Sequence, residues 1–280
     1  MNAIPEYNSK WKWMIIGLVL AFLYIPILLL MIYSFNESRL VTVWSGFSTK
    51  WYGELLRDEL LMKGFKTSLI IGVFSASAAV VLGTISAFIM QRFTSFRGET
   101  GFAFMITAPL VMPDVITGLS LLLLFISLGQ FFDLFAQRGM LTIWIAHVTF
   151  CTAYVTVVVS SRLQELDNSI EEAAQDLGAA PVKVFFLITL PMIAPALVAG
   201  WLLAFTLSLD DLVISSFVSG PSSTTLPIAV FSSVRLGLSP KINALATIMV
   251  LIVSFAAFLG WWLMSRADKR RRQEIRASIT

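Results

Sequence analysis

Charge is scarce in this chain. Only 13% of its 280 residues are Asp, Glu, Lys or Arg, about half of the roughly 25% carried by a soluble domain. Hydrophobic residues supply 57%, and the mean hydropathy is +0.83. A soluble globular protein is excluded. A single cysteine cannot close an internal disulfide, and with one histidine beside it the chain lacks ligands for a zinc or cysteine-rich metal site. No metal is expected. The phosphate-binding pattern Gly-x4-Gly-Lys-Ser/Thr is missing too, and the dipeptide Gly-Lys never occurs, so no ATP site of that kind is visible. The net charge of +3 reflects a local excess, because six of the twenty Lys and Arg lie in the last fifteen residues. It marks one end of the molecule and gives no sign of a nucleic-acid surface.

What the sequence has instead is long apolar runs. A membrane-spanning helix needs about 20 mostly apolar residues, and six runs qualify: 13–35, 68–90, 102–128, 141–160, 192–218 and 244–264. The first is too long for a secretory signal, has Trp11 and Trp13 at its entrance and lacks a small-residue cleavage pattern before Asn36, so it reads as a retained helix. Six spans put both termini on one side. With the basic tail inside, the inner segments hold twelve Lys and Arg and the outer ones eight, which places both ends in the cytoplasm. The expectation is an all-α integral membrane protein, one domain over 1–280, with an outer loop at 36–67 and an inner loop at 161–191.

The outer loop contains Trp51-Tyr-Gly-Glu-Leu-Leu-Arg-Asp-Glu-Leu-Leu-Met62, readable as a short interfacial helix. Its aromatics serve equally as a contact surface or as part of the aromatic belt at the headgroup level. The inner loop is not written like a simple turn. Ser169-Ile-Glu-Glu172 has the form of a capping box and starts a helix. Gly178 suits a left-handed stop, and Pro181 suits the first turn of a second helix that runs to Leu190 before Pro191. Two short helices meet at a sharp corner, and the first offers Ala173 and Ala174 ringed by Glu171, Glu172 and Asp176.

The residues Glu172-Ala-Ala174, Gly178, Ile188, Leu190 and Pro191 follow the spacing E-A-A-x3-G-x9-I-x-L-P. This resembles the signature loop of the membrane subunits of bacterial ATP-binding-cassette (ABC) importers. The resemblance implies a type I ABC importer permease fold in which these seven residues form the coupling surface for a separate ATPase subunit. ATP and Mg would then be bound by that partner, with no cofactor and no catalytic residue in this chain.

Ionised side chains within a span cost about 2.5–3.5 kcal/mol each at the bilayer centre and are functional hypotheses by default. Asp114, Asp210 and Asp211 stand out. Asp114 follows Pro109 and Pro113, which predict a kink in the third span. At about 1.5 Å per residue, Asp114 lies about 18 Å and Asp210 about 27 Å from the inner side. No Lys or Arg lies inside any of the six runs, so these acids have no fixed basic partner in their own spans. A visiting cation, a basic group on another subunit, or helix capping by Asp210 and Asp211 are the alternatives. Adjacent residues point about 100° apart on a helix, so one of the pair faces the path. His147 and Cys151, one helical turn apart, are too few for a metal site and read as packing.

Ala108-Pro-Leu-Val-Met-Pro-Asp-Val115, His147-Val-Thr-Phe-Cys151, Leu207-Ser-Leu-Asp-Asp-Leu212, Ser216-Phe-Val-Ser-Gly-Pro221 and Ser239-Pro-Lys-Ile-Asn-Ala-Leu-Ala-Thr247 extend the resemblance over essentially the whole chain. They are similar to the second permease of polyamine importers, most of all that of the putrescine system. The resemblance implies a bacterial inner-membrane protein that forms a heterodimeric pore with a related permease. Two copies of a cytoplasmic ATPase and a periplasmic polyamine-binding protein would complete the assembly. It also implies a substrate path on Asp114, Asp210 and Asp211, with Trp51 near the docked binding protein. Thr206, Ser208, Ser215 and Ser216 either line the path or bond across helices, and Ser208, which precedes the two aspartates, is the one favoured for the path. An intramembrane aspartyl protease would need two facing aspartates in Gly-x-Gly-Asp contexts, which are missing. A proton-coupled secondary transporter accounts for membrane acids but leaves the coupling signature unexplained.

Overall fold

The computed structural model describes residues 9–40, 43–93, 96–135, 137–237, 239–255 and 258. Among them the regular structure is helical, with one isolated antiparallel bridge between Asn36 and Phe47. In chain order the helices are α1 Ser9–Tyr33, α2 Lys50–Leu56, α3 Glu59–Arg92, α4 Glu99–Val111, α5 Asp114–Gly129, α6 Met140–Gln164, α7 Ser169–Asp176, α8 Pro181–Val184, α9 Leu190–Asp210, α10 Val213–Val218, α11 Leu226–Leu236 and α12 Pro240–Phe255.

Four described helices are long and apolar enough to cross a bilayer: Trp11–Tyr33, Glu59–Arg92, Met140–Gln164 and Pro181–Asp210. The pair α4 and α5 makes a fifth if it counts as one broken span. Of the run expected at 244–264, residues 244–255 fall in α12, and 256–257 and 259–264 lie outside the described residues. The basic tail lies outside them as well.

The third run is not one kinked helix. Its axis turns by 117° between α4 and α5, so Asp114 cannot be placed by counting along a straight rod. The cause is local. A residue before proline avoids the helical region, and Met112 and Pro113 are both extended, with ψ of 134° and 137°. Two successive extended residues turn the chain much further than a proline kink does.

A second departure follows Pro181. The helix expected to stop at Leu190 runs on through a π turn at Phe185–Thr189 into α9. The N–H of Leu190 bonds back to Phe185 O. The wider turn takes up one extra residue just before Pro191, whose ring otherwise crowds the carbonyl four residues back.

The described chain forms two compact units. One combines the described residues of Met1–Glu59 and Ser233–Thr280. Here α1 is apolar all round and its membrane-length stretch is unburied, the character of a helix surrounded by lipid or another subunit. After it, the buried Asn36 organises the turn: its side-chain amide donates to Val43 O at 2.7 Å, and its Oδ1 accepts from the N–H groups of Ser38 and Ser45. Phe35 stacks on Phe47, and Lys241 pairs with Asp58 at 3.0 Å.

The other unit, Leu60–Ser232, is built on small residues where helices approach closely. Val155 of α6 lies against Gly83 of α3 and Gly200 of α9, and Gly118 of α5 lies against Ile214 and Phe217. Ile143, Ala146, Cys151, Val155, Val159, Ile193 and Ala204 fill the interior. Close backbone approach of this kind is how helices gain van der Waals contact where lipid offers no hydrophobic incentive to associate.

A Cβ at position 83 would sit 2.7 Å from Val155 Cγ1 and 2.8 Å from its Cβ. Overpacking of this kind costs about 1–3 kcal/mol. Gly83→Ala is therefore expected to lower the melting temperature of the detergent-purified protein, whereas Gly17→Ala, with nothing within 4 Å of the added carbon, is not. Equal melting of the two variants would show that the contact is not close-packed.

Candidate functional site

The fifth run, expected to reach residue 218 as one helix, breaks at its acids. Asp210 is the last residue of α9, and Asp211 is extended, with φ −65° and ψ 118°. The break would leave the first amides of α10 without partners, and Asp211 supplies them. Its Oδ2 accepts from Ser215 N–H at 2.7 Å and its Oδ1 from Ile214 N–H at 3.1 Å. The adjacent acids thus take different roles because the helix ends between them, rather than through a rotation of 100° along it.

Asp211 also has a partner that is neither Lys nor Arg. His147 of α6 is 1% exposed, and its Nε2 lies 3.1 Å from Asp211 Oδ2 and 3.0 Å from Ser215 Oγ. Its Nδ1 lies 2.6 Å from Ser208 Oγ. In the tautomer with hydrogen on Nε2, the ring donates to the carboxylate and accepts from the Ser208 hydroxyl. Buried polar groups carry a heavy cost when unpaired. Here each group satisfies its neighbour, and α6, α9 and α10 are fastened at one point.

His147 is therefore more than packing, and the Ser208 hydroxyl is turned into the network rather than presented to a path. Cys151, one turn along α6, is buried and donates its thiol hydrogen to Ala204 O at 3.4 Å.

Asp114 and Asp210 remain. Both side chains are exposed, and among the described residues neither forms an ion pair. Asp114 opens α5, where a carboxylate is favoured by the helix dipole. Trp51 belongs to the other unit and is 2% exposed. Its indole N–H donates to Asn36 O at 2.6 Å, so the residue closes the turn after α1, with Lys50 Nζ over its ring. A covered ring offers no face to a ligand.

The hairpin after α6 has the expected corner. Gly178 has φ +87°, Pro181 begins α8, and α7 starts at Ser169. The start of α7 differs in detail: Asn168 is the N-cap and no capping box forms. Instead, Asp167 Oδ1 accepts from Ser169 N–H at 2.9 Å, and that backbone bond holds the Asp167 carboxyl below its ordinary value. A carboxyl so lowered favours the folded hairpin above about pH 3.8, and the contribution fades as pH falls through the lowered value.

Glu172, Ala173 and Gly178 are exposed, Ala174, Ile188 and Leu190 are half-buried, and Pro191 is exposed. Leu177, at 90%, presents a bare apolar side chain at the corner. Glu171 turns the other way, pairing with Arg92 at 2.9 Å and accepting from Thr189 at 2.8 Å. Neither Arg92 nor Thr189 carried a sequence signal, since their meaning comes from contacts across 79 and 18 residues.

Loss of the imidazole leaves Asp211, Ser208 and Ser215 short of a partner, at about 1–3 kcal/mol for an orphaned buried group. His147→Leu should melt several degrees lower than wild type, and His147→Gln, which retains hydrogen bonding, should fall between them. Thermal unfolding in detergent checks this, and a His147→Leu protein as stable as wild type would remove the network's role in holding the break.

The family model described as "Binding-protein-dependent transport system inner membrane component" matches residues 79–273. The chain is 64% identical over 275 residues to the putrescine transport system permease protein PotI of Escherichia coli (strain K12), covering 98% of each. It is 42% identical over 253 residues to the spermidine/putrescine transport system permease protein PotC of the same strain, covering 90% of this chain and 92% of that one. Among solved structures, a chain of a bacterial ABC transporter involved in the import of the acidic polysaccharide alginate superposes with a TM-score of 0.67 at 16% identity. That match covers 91% of this chain and 99% of the other, and it shows a shared fold. With most of its length matched by the family and a relative aligned nearly end to end, this chain belongs to the inner-membrane components of binding-protein-dependent transport systems.

Proposed function

We propose that this chain is a permease subunit of an ATP-driven polyamine importer, with putrescine as its substrate. The observation that carries the reading is the hairpin. Its left-handed corner at Gly178 and the exposed Glu172–Ala173 face form a docking surface on a chain that has no phosphate-binding loop of its own. An ATPase partner with ATP and Mg supplies the energy, and Glu172, Ala173, Ala174, Gly178, Ile188, Leu190 and Pro191 receive it. In this reading the chain has six spans and cytoplasmic termini in a bacterial inner membrane. It forms half of a pore with a second permease and takes its substrate from a periplasmic polyamine-binding protein.

The substrate class rests on charge. The relatives at 64% and 42% identity are named for putrescine and for spermidine with putrescine, and polyamines are cations of charge two or more at neutral pH. The fold by itself does not favour a cation, because one solved chain that shares it comes from a transporter involved in the import of an acidic polysaccharide. Asp114 and Asp210, exposed and free of ion pairs among the described residues, supply what a diamine needs. Asp211 and Ser208 hold the path's wall in shape, and Trp51 shapes the periplasmic turn.

Two experiments test the reading. In the first, Gly178→Arg should abolish uptake while the protein stays in the membrane. Non-glycine residues pay about 1–2 kcal/mol for a left-handed conformation, and the long side chain blocks docking. Gly178→Asn, which tolerates that conformation, should retain more uptake. Normal stimulation of a co-purified ATPase by the Arg variant would overturn the coupling assignment, and transport by this chain alone on a proton gradient would favour a secondary transporter.

In the second, initial uptake of labelled putrescine and spermidine is compared at matched membrane levels, with ATPase activity followed in parallel. Asp114→Asn and Asp210→Asn should slow uptake several-fold with little loss of stability, since a charge-assisted contact exceeds a neutral one by about 1 kcal/mol. Asp211→Asn should chiefly lower stability. Wild-type uptake by all three would dismiss the acidic path.

A further inference from the structure

At the hairpin end of α3, three elements meet on one carboxylate. Arg92 is the last residue of α3, where its charge suits the negative end of the helix dipole. Its Nη2 donates to Glu171 Oε1 at 2.9 Å, and its Nη1 donates to Asn168 Oδ1. Glu171 and Asn168 lie at the start of α7. The same Glu171 Oε1 accepts from Thr189 Oγ1 at 2.8 Å, and Thr189, 1% exposed, belongs to the π turn through which α8 becomes α9. The two charged side chains are largely covered, at 15% and 14% exposure.

We propose that Arg92, Glu171 and Thr189 form a transmission clamp that carries movement of the docking hairpin into α3 and α9. This rests on the importer reading above. The two glutamates of α7 divide the work: Glu172 is exposed toward a docking partner, and Glu171, about 100° around the helix, is tied to the bundle. A helix held only by its flanking turns would swivel when pushed. One held at its inward face by a charged pair and a hydroxyl moves with the helices it grips.

The grip on α9 falls on its π turn, where hydrogen bonding is already rearranged ahead of Pro191 and where π turns are frequent at functional positions. The grip on α3 falls on a helix whose Gly83 seats against Val155 of α6. Displacement of α7 therefore reaches both sides of α6. Arg92, Glu171 and Thr189 are positioning residues, acting through the helices they join.

The test is the ratio of ATP hydrolysed to putrescine imported. It is measured in proteoliposomes holding the complete complex of two permeases and ATPase, with binding protein supplied. Arg92→Ala and Glu171→Gln should raise the ratio by about fivefold, equivalent to about 1 kcal/mol of lost coupling, because hydrolysis continues while the pore follows it less often. Thr189→Val, which keeps shape and loses one bond, should raise it less. The exchange Arg92→Glu with Glu171→Arg should bring the ratio part of the way back, short of wild type because the acid then faces the negative end of α3.

An unchanged ratio in both single variants, whether at wild-type rates or through parallel losses of hydrolysis and transport, would overturn the clamp. Glu171→Gln is nearly isosteric and decides the matter if Arg92→Ala prevents assembly. A wild-type chain that retains no ATPase on purification would overturn the importer reading itself, and the clamp with it.

Discussion

A bilayer supplies no water to the hydrogen-bonding groups of a broken helix, so wherever a span is interrupted the protein must complete those groups from its own side chains. The junction of α9 and α10 shows the consequence. Two amides opened by the break go to Asp211, and Asp211 is held in turn by His147 and flanked by Ser208 and Ser215. None of these groups could be buried alone without a penalty of about 1–3 kcal/mol. Once they are joined, the break becomes a fixed elbow, and Asp210, the acid just before it, stays exposed.

The other interruptions obey the same constraint with different means. Between α4 and α5, Pro113 has no N–H to lose, Met112 bonds back to Ala108 O, and Ile116 and Thr117 bond to Pro113 O, so a 117° turn leaves few groups unpaired. Before Pro191 the helix widens by one residue instead of breaking. Proline thus has three outcomes in one chain: a sharp corner, a π turn and, at Pro26 within α1, a tolerated interior position. What differs is the neighbouring structure available to take up the freed carbonyls.

Small residues give this framework its rigidity. Gly83, Gly200 and Gly118 let helices approach to direct contact. The hairpin is tied to the same framework through Glu171 while its exposed face remains clear. The hairpin and the broken fifth run are thereby built on one set of packed helices.

Much of this was legible in the residues alone. Apolar runs dictate spans because about 20 residues must cover the hydrocarbon core. Gly178 dictates the hairpin corner because it alone adopts φ +87° without strain, and Pro181 dictates the start of α8. These are local effects, set by each residue and its immediate neighbours. The third run read as a kink, because a proline's sequence signal does not say whether one extended residue or two will follow from it. The acids Asp210 and Asp211 read as equivalents because helical periodicity cannot reveal that the helix ends between them. That was decided by His147, 64 residues away in the chain, just as the roles of Glu171 and Thr189 were decided by Arg92 at the far end of α3. Sequence fixes what each residue can do locally. Which buried polar groups find one another, and so which acid is consumed in holding the fold and which stays exposed, depends on contacts that exist only once the helices have packed.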